Sequence, residues 1–371
     1  MKKRRRPDTG TMILTVSAAL LMFAIAAMVV LPLPWMVRSP GPTLDTLGLI
    51  DDESVVAISG AETHETGEGQ LLLTTVAVSG GPGRSITLLD AISGWLRPDA
   101  AVLPREMVYP VEPDPQEVSD FQIAQMNASQ DFATAAALTE LGYEITVTMT
   151  VAELMPDLPP VGELEVGDVL TAITPAGSQR EELRDFGQLI GILEETAPGT
   201  EVTLEVMREG GPAEATFPTS PRPEGDEQPG SLLGVWLNTE PSDFPVDIDF
   251  DIDNIGGPSA GMMFALAIVD QLTPGELTGG KLIAGSGTMS IDGRVGAIGG
   301  IQQKLHGAVR DGASWFLVAE GNCSEALGNV PDGLEIAAVG TLADAVEAVE
   351  AIGRGQSERL TTCESVVAAQ S

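Results

Sequence analysis

The chain has 371 residues, 43% of them hydrophobic and 20% charged, which suffices for two or three folded domains of ~100–200 residues each. Its 42 Gly and 26 Pro suggest many turns and linkers rather than long helical rods, while nothing in the composition is collagen-like or wholly disordered. Five of the 19 basic residues are Lys2, Lys3, Arg4, Arg5 and Arg6; the remaining 14 face 54 acidic side chains, a formal −40 that repels nucleic acid and anionic headgroups.

From Met12 to Leu31 every residue is apolar or small, with hydroxyls only at Thr15 and Ser17. Such a run can cross ~30 Å of hydrocarbon as a helix. Pro32 and Pro34 end it, and Trp35 occupies an interfacial position. Residues 1–11 thus read as a basic cytoplasmic tip and 12–36 as a transmembrane anchor in contact with the lipid bilayer, with everything after Arg38 outside the cytoplasm. The competing reading is a secretory signal cleaved near Ala24-Ile25-Ala26; the apolar run continues past that point, which favours an uncleaved anchor.

Residues 37–129 read as a separate extracytoplasmic region. It contains a strand over Gln70–Val78 and a short helix with Leu88, Leu89, Ile92 and Leu96 that Ser85 could cap. Pro113–Glu140 looks helical in its later part, where Ala133, Ala135, Ala136 and Ala137 favour close packing. A second unit is expected over 130–217. Its parts are a strand at Ile145–Val151, a turn and strand at Gly162–Leu170, a helix carrying Phe186, Leu189, Ile190 and Leu193, and a strand at Val202–Val206. Residues 218–230, rich in Pro, Gly and Glu, read as a linker. The last domain is expected over 231–352, followed by a polar tail, 353–371. Cys323 and Cys363 both fall on the outer, oxidising side; a disulfide between them is the favoured reading and two inert thiols the other. Together with His64 and His306 they show no zinc-type spacing, so neither a metal nor another cofactor is expected.

Two segments of the last domain carry chemistry. In Asn254–Met263 an alternating strand (Val246, Ile248, Phe250, Ile252) meets a Gly-Gly-Pro turn, and an apolar helix follows Ser259. Unpaired N–H groups at such a helix start suit an oxyanion, although a plain capping serine reads the same way. In Gly299–Val309, Ile301, Leu305, Ala308 and Val309 form an apolar stripe with Lys304 at its edge and His306 facing away. After Lys3 the only lysines are Lys281 and Lys304. Lys304 could snorkel to water, or lose its proton by desolvation and act as a base. Gly257–Gly261 also satisfies the Gly-x-Ser-x-Gly elbow, which would call for Ser259, Asp292 and His306 as a triad.

The order of elements in 130–217, with Leu164-Glu165-Val166-Gly167-Asp168-Val169-Leu170, resembles a bacterial PDZ domain. That resemblance implies peptide recruitment by strand addition, with the carboxylate-binding loop near Gly142-Tyr143-Glu144-Ile145. Pro258–Gly261 and Gly299–Leu305 together resemble the nucleophile and base segments of the Lon proteolytic family, and Leu272–Gly275 and Gly285–Val295 resemble its intervening hairpin. This implies a Ser259–Lys304 dyad, with Ser286 orienting the lysine. Gly256 departs from the acid found three residues before the serine in many ATP-dependent members, and the sequence contains no phosphate loop; the Gly80–Ser85 cluster lacks its lysine. The whole pattern resembles the PDZ-containing Lon-like proteases of bacterial membranes. It implies an α+β multidomain protein with an N-terminal transmembrane helix, a PDZ-like domain and a Lon-type α/β proteolytic domain. The implied function is a membrane-anchored, ATP-independent serine endopeptidase acting on flexible or unfolded protein segments, and by analogy a hexamer. The alternative is a non-catalytic, membrane-tethered adaptor.

Overall fold

A computed structural model describes residues 9–109, 113–156, 158–223, 229–252 and 255–369. The basic tip Lys2–Arg6, part of the expected linker (224–228) and Asn254 lie outside the described residues. Helix α1 (Thr9–Val30) is, among the described residues, the one helix long and apolar enough to cross a membrane. Its length and composition suit a membrane span or a signal sequence alike.

Strands β1 (Trp35–Asp45), β2 (Val56–Ser59) and β3 (Gln70–Ser79) follow, then α2 (Leu88–Trp95), β4 (Ala101–Pro104) and the long α3 (Pro115–Glu140). The cap of α2 is Thr87, not Ser85. Its hydroxyl accepts from the Asp90 N–H while the Asp90 carboxylate accepts from the Thr87 N–H, a reciprocal pairing that a serine two residues upstream lacks.

A first sheet comprises β5 (Thr146–Leu154), β6 (Val169–Pro175), β7 (Glu201–Arg208), β8 (Gly211–Pro218) and β9 (Val235–Ser242), in the order β8-β7-β6-β5-β9, with α4 (Phe186–Glu195) packed on it. Asp168, at the turn into β6, is buried. It accepts the Glu165 N–H at 2.8 Å and two bonds from Arg208 at 2.7 Å, so its charge is paired inside the unit. Arg208 holds the Asp168 carboxyl below its ordinary pKa.

Beyond this unit lie β10 (Asp247–Phe250), α5 (Gly261–Leu272), β11 (Leu282–Ser286), α6 (Ile301–Arg310), β12 (Trp315–Ala319), α7 (Cys323–Leu327), β13 (Glu335–Val339), α8 (Leu342–Gly353) and α9 (Cys363–Ala369). Cys323 and Cys363 are joined, with S–S 2.13 Å and Cα–Cα 4.9 Å, tying α9 to α7.

The second sheet has the order β13-β12-β11-β3-β1-β4. It therefore unites strands from 37–129 with strands from 231–352, and the expected separation of those two regions does not hold. The reason lies in β3. Leu71, Leu72 and Leu73 are consecutive and buried, a pattern that needs cover on both faces and a partner on each edge. Leu71 and Leu73 pack with α5, Leu72 packs with Ile301 and Leu305 of α6, and β11 pairs with β3 in parallel from Leu282↔Gln70 to Gly285↔Leu73. The expected boundary at 129/130 also moves, because α3 runs through it and Ala133, Ala136 and Ala137 join the core around α5. At the other end, β9 was expected in the last domain, yet it pairs with β5 from Val235↔Leu154 to Ser242↔Thr146. The first sheet is thus an insertion, spanning 146–242, into a body built from both ends of the chain.

Candidate active site

The turn that presents Ser259 is held from outside by α3. The Gly257 N–H donates to the Gln122 carbonyl at 3.1 Å, and the Ser129 hydroxyl donates to the Pro258 carbonyl at 3.0 Å. Gly257 has φ +89°, a left-handed conformation that favours glycine. At Gly261 a Cβ would sit 2.8 Å from the Met289 Cβ, so the start of α5 can approach the β11 hairpin only without a side chain. The N-cap residue of α5 is Ala260, with no side-chain capping bond, so the Ser259 hydroxyl is not spent on a cap. Among the described residues, the N–H groups of Ser259 and Ala260 have no acceptor.

The end of β11 fastens this turn from the other side. The Ser286 hydroxyl donates to the Ser259 carbonyl at 2.8 Å, the Gly287 N–H donates to the same oxygen at 3.2 Å, and the Met262 N–H donates to the Gly287 carbonyl at 3.2 Å. Helix α6 then delivers Lys304. Gly300 (φ +74°) turns the chain into the helix, whose Ile301, Leu305 and Ala308 pack under the sheet beside Leu72 and Phe316. Lys304 is 2% exposed, and its Nζ lies 2.8 Å from Ser259 Oγ and 2.7 Å from Ser286 Oγ. The partners of its amine among the described residues are these two hydroxyls, and desolvation lowers its pKa from 10.5 to about 7. Ser259, Lys304 and Ser286 are therefore brought together from a loop, a helix and a strand end. Such a cluster can move a proton from a hydroxyl to an amine at neutral pH.

The structure does not assemble Ser259, Asp292 and His306. Asp292 pairs with Arg294 at 2.7 Å, and His306 sits on the partly exposed side of α6 with no bond to either residue among those described. Among the described residues no group of three or more His, Cys, Asp or Glu is placed to hold a metal. Sequence reasoning missed the clamp from Gln122 and Ser129, for which a helical pattern offers no signal. The segment Gly142–Ile145 leads into β5, which pairs with β9 along its length and with β6 only at Met149 and Thr150, while the Val147 N–H donates to the Arg184 carbonyl. The free edges are β8 and β9, and Ser231–Leu232, just before β9, lies against α4.

Residues 254–351 match the family of the Lon protease (S16) C-terminal proteolytic domain. This part of the chain is similar to the proteolytic domain of Lon proteases. Over 79 residues it is 37% identical to the Lon protease of Clostridioides difficile (strain 630), covering 21% of this chain and 10% of that one. The Lon protease of Rhizobium meliloti (strain 1021) is 38% identical over 79 residues, 21% of this chain and 9% of the relative. That of Azospirillum brasilense is 37% identical over 94 residues, 24% and 11% respectively. The chain thus spans about a tenth of the length of these relatives. Among solved structures, the PDZ domain of the SdrC-like protein from Listeria monocytogenes is 18% identical, covering 26% of this chain and 88% of that one, with a TM-score of 0.21.

Proposed function

We propose that the chain is a membrane-anchored serine endopeptidase that hydrolyses protein segments without nucleotide, with Ser259 as nucleophile and Lys304 as general base. The observation that carries this reading is the buried Lys304 amine at 2.8 Å from Ser259 Oγ, where burial pushes its pKa down from 10.5 to about 7. Hydrogen bookkeeping supports the direction of transfer. The single Ser286 proton is committed to the Ser259 carbonyl, so Ser286 can only accept from Lys304. A neutral amine then gives one N–H to Ser286 and keeps its lone pair for the Ser259 proton. Ser259 Oγ attacks the scissile carbonyl, the N–H groups of Ser259 and Ala260 are available for the oxyanion, and Lys304 returns its proton to the leaving amine. Water, deprotonated by the same lysine, releases the acyl group.

Helix α1 serves as a single-pass anchor with its N-terminus in the cytoplasm, and the Cys323–Cys363 bond accords with an oxidising compartment for the body. The inserted unit works as a PDZ-like module, with β9 as the edge to which a peptide adds. The non-catalytic adaptor reading predicts an inert Ser259. A fluorophosphonate probe should label the intact chain at Ser259, and a flexible peptide should be cleaved without ATP; Ser259→Ala should abolish both. An unlabelled Ser259 with undiminished peptide binding would favour the adaptor instead.

A further inference from the structure

Helix α2 is packed inside out for a protein surrounded by water. The side it turns to the sheet carries its smallest residues, Ala91 and Gly94, both buried; a Cβ at Gly94 would come within 2.7 Å of Val102 and 3.2 Å of Val37. The side it turns outward carries Leu89, 53% exposed, and, just after the helix, Leu96 at 79%, while Trp95, 58% exposed, flanks the sheet side beside Trp35. Met107, 71% exposed, follows β4 three residues after Pro104, which pairs with Trp35. An amphipathic helix in water buries its large residues, so the outward face needs an occupant.

The connections of α2 identify that occupant. The chain leaving α1 pairs at once with the entry to α2, Pro32 opposite Thr87 and Leu33 opposite Ile86. At the other end of the helix the Trp95 ring meets the Trp35 ring edge-on, with centroids 5.6 Å apart. Both ends of α2 are therefore fastened to the first residues after α1, and eight residues of helix extend only about 12 Å. If α1 spans the bilayer, α2 lies at the level where lipid headgroups meet acyl chains. Aromatic and aliphatic side chains gain most from that zone.

We infer that Leu89, Trp95, Leu96 and Met107 form a second membrane contact, a docking face that seats the protease body on the outer surface of the bilayer beside its anchor. This inference rests on the reading of α1 as a membrane span. The formal −40 of the chain after Arg6 makes the contact an apolar one and not a charge attraction to anionic lipid. Helix α6 reaches the same place, since the Gln302 side-chain amide donates to the Pro98 carbonyl at 2.9 Å. Seating α2 thus fixes the height of the Lys304 helix above the lipid.

The test uses the full chain in phosphatidylcholine nanodiscs. Because the native cysteines are buried and joined, single introduced cysteines take an environment-sensitive fluorophore cleanly. Leu96→Cys and Met107→Cys report the docking face, Leu20→Cys reports α1, and Val166→Cys reports an exposed point on the inserted unit. Labels at 96, 107 and 20 should emit at shorter wavelength than the label at 166, and lipids brominated along their chains should quench those three and leave 166 unchanged. Quenching at 20 without quenching at 96 and 107 would overturn the docking face while leaving the anchor intact. No quenching at 20 would remove the span and the docking face with it. A shift at 96 that follows protein concentration and not bromine would assign the face to a second copy of the chain and likewise overturn the inference.

Discussion

Replacing Ser286 by alanine separates two effects that act on Lys304. Burial shifts the lysine from 10.5 to about 7, worth about 5 kcal/mol at 1.36 kcal/mol per unit, and raises the deprotonated fraction at pH 7 about a thousandfold. Ser286 opposes part of that shift, because an ammonium donates to its oxygen more strongly than an amine does. Charged and neutral hydrogen bonds differ by about 1 kcal/mol, so Ser286→Ala should lower the lysine pKa by about 0.7 of a unit. The variant also loses the partner that aims the lone pair and one of the bonds to the Ser259 carbonyl, and such misplacement costs roughly tenfold to a hundredfold in turnover. The expected result is a fall in kcat together with a displacement of the rising limb of the pH–rate profile toward acid. Initial rates of cleavage of a quenched fluorogenic peptide between pH 5.5 and 9, normalised to active sites titrated with a fluorophosphonate, provide the measurement. A limb that stays in place or moves toward alkali, with turnover intact, would refute this account of Ser286.

Lys304→Arg keeps the charge but cannot give up a proton near neutrality, so turnover should fall about as far as in Ser259→Ala, by at least roughly a thousandfold. His306→Ala should retain most activity, and the reverse pattern in the same peptide assay would reinstate the histidine. Asp270, buried in α5, accepts the Leu277 N–H with one oxygen, and its other oxygen is unpartnered among the described residues; desolvation raises its pKa from 3.8 to about 6. The native state holds this proton more tightly than the unfolded chain, so its contribution is fully present below pH 3.8 and is lost as pH rises through about 6. Asp270→Asn should remove that slope and raise Tm at pH 7.5, as thermal melts at pH 4.5 and 7.5 would show; a lower Tm at pH 7.5 would argue for an unrecognised partner. Reducing the Cys323–Cys363 bond opens a loop closed over a sequence separation of 40 residues, worth about 4 kcal/mol on chain-entropy grounds. Melts with and without reductant should differ by several degrees, and coincident curves would show that the tail is held by packing alone.

Local chemistry was legible in the sequence where it depends on short motifs. The Gly-Gly-Pro turn, the apolar helix after it and the scarce lysine on an apolar stripe are all patterns within a dozen residues, and α5 and α6 form where those patterns lie. Long-range pairing was not legible. Nothing in Leu71-Leu72-Leu73 announces that its parallel partner is Leu282–Gly285, because hydrophobic periodicity reports a face and not a neighbour. The same limit explains β9. Val235-Trp236-Leu237 gives no alternation to read, and only the register against β5 shows that the strand completes the inserted sheet. Ser129 escaped notice because a serine within an alanine-rich helix carries no signal until α3 is laid against the Ser259 turn.

The insertion of 146–242 into the body that carries Ser259 and Lys304 has a consequence for how the protein is made. Strand β3 emerges from the ribosome about two hundred residues before β11, its parallel partner, which at ~5–20 residues per second is roughly 10–40 s. During that interval three adjacent leucines lack half their cover and one edge of β3 is bare, while the inserted unit already has all its strands and can close on itself. The nascent chain therefore completes its appendage before its engine. A fragment beginning at residue 231 would inherit Ser259 and Lys304 but not the strand against which β11 is laid down. Such a fragment should be insoluble or unfolded, and Ser259, Ser286 and Lys304 cannot come together until the last quarter of the polypeptide has arrived.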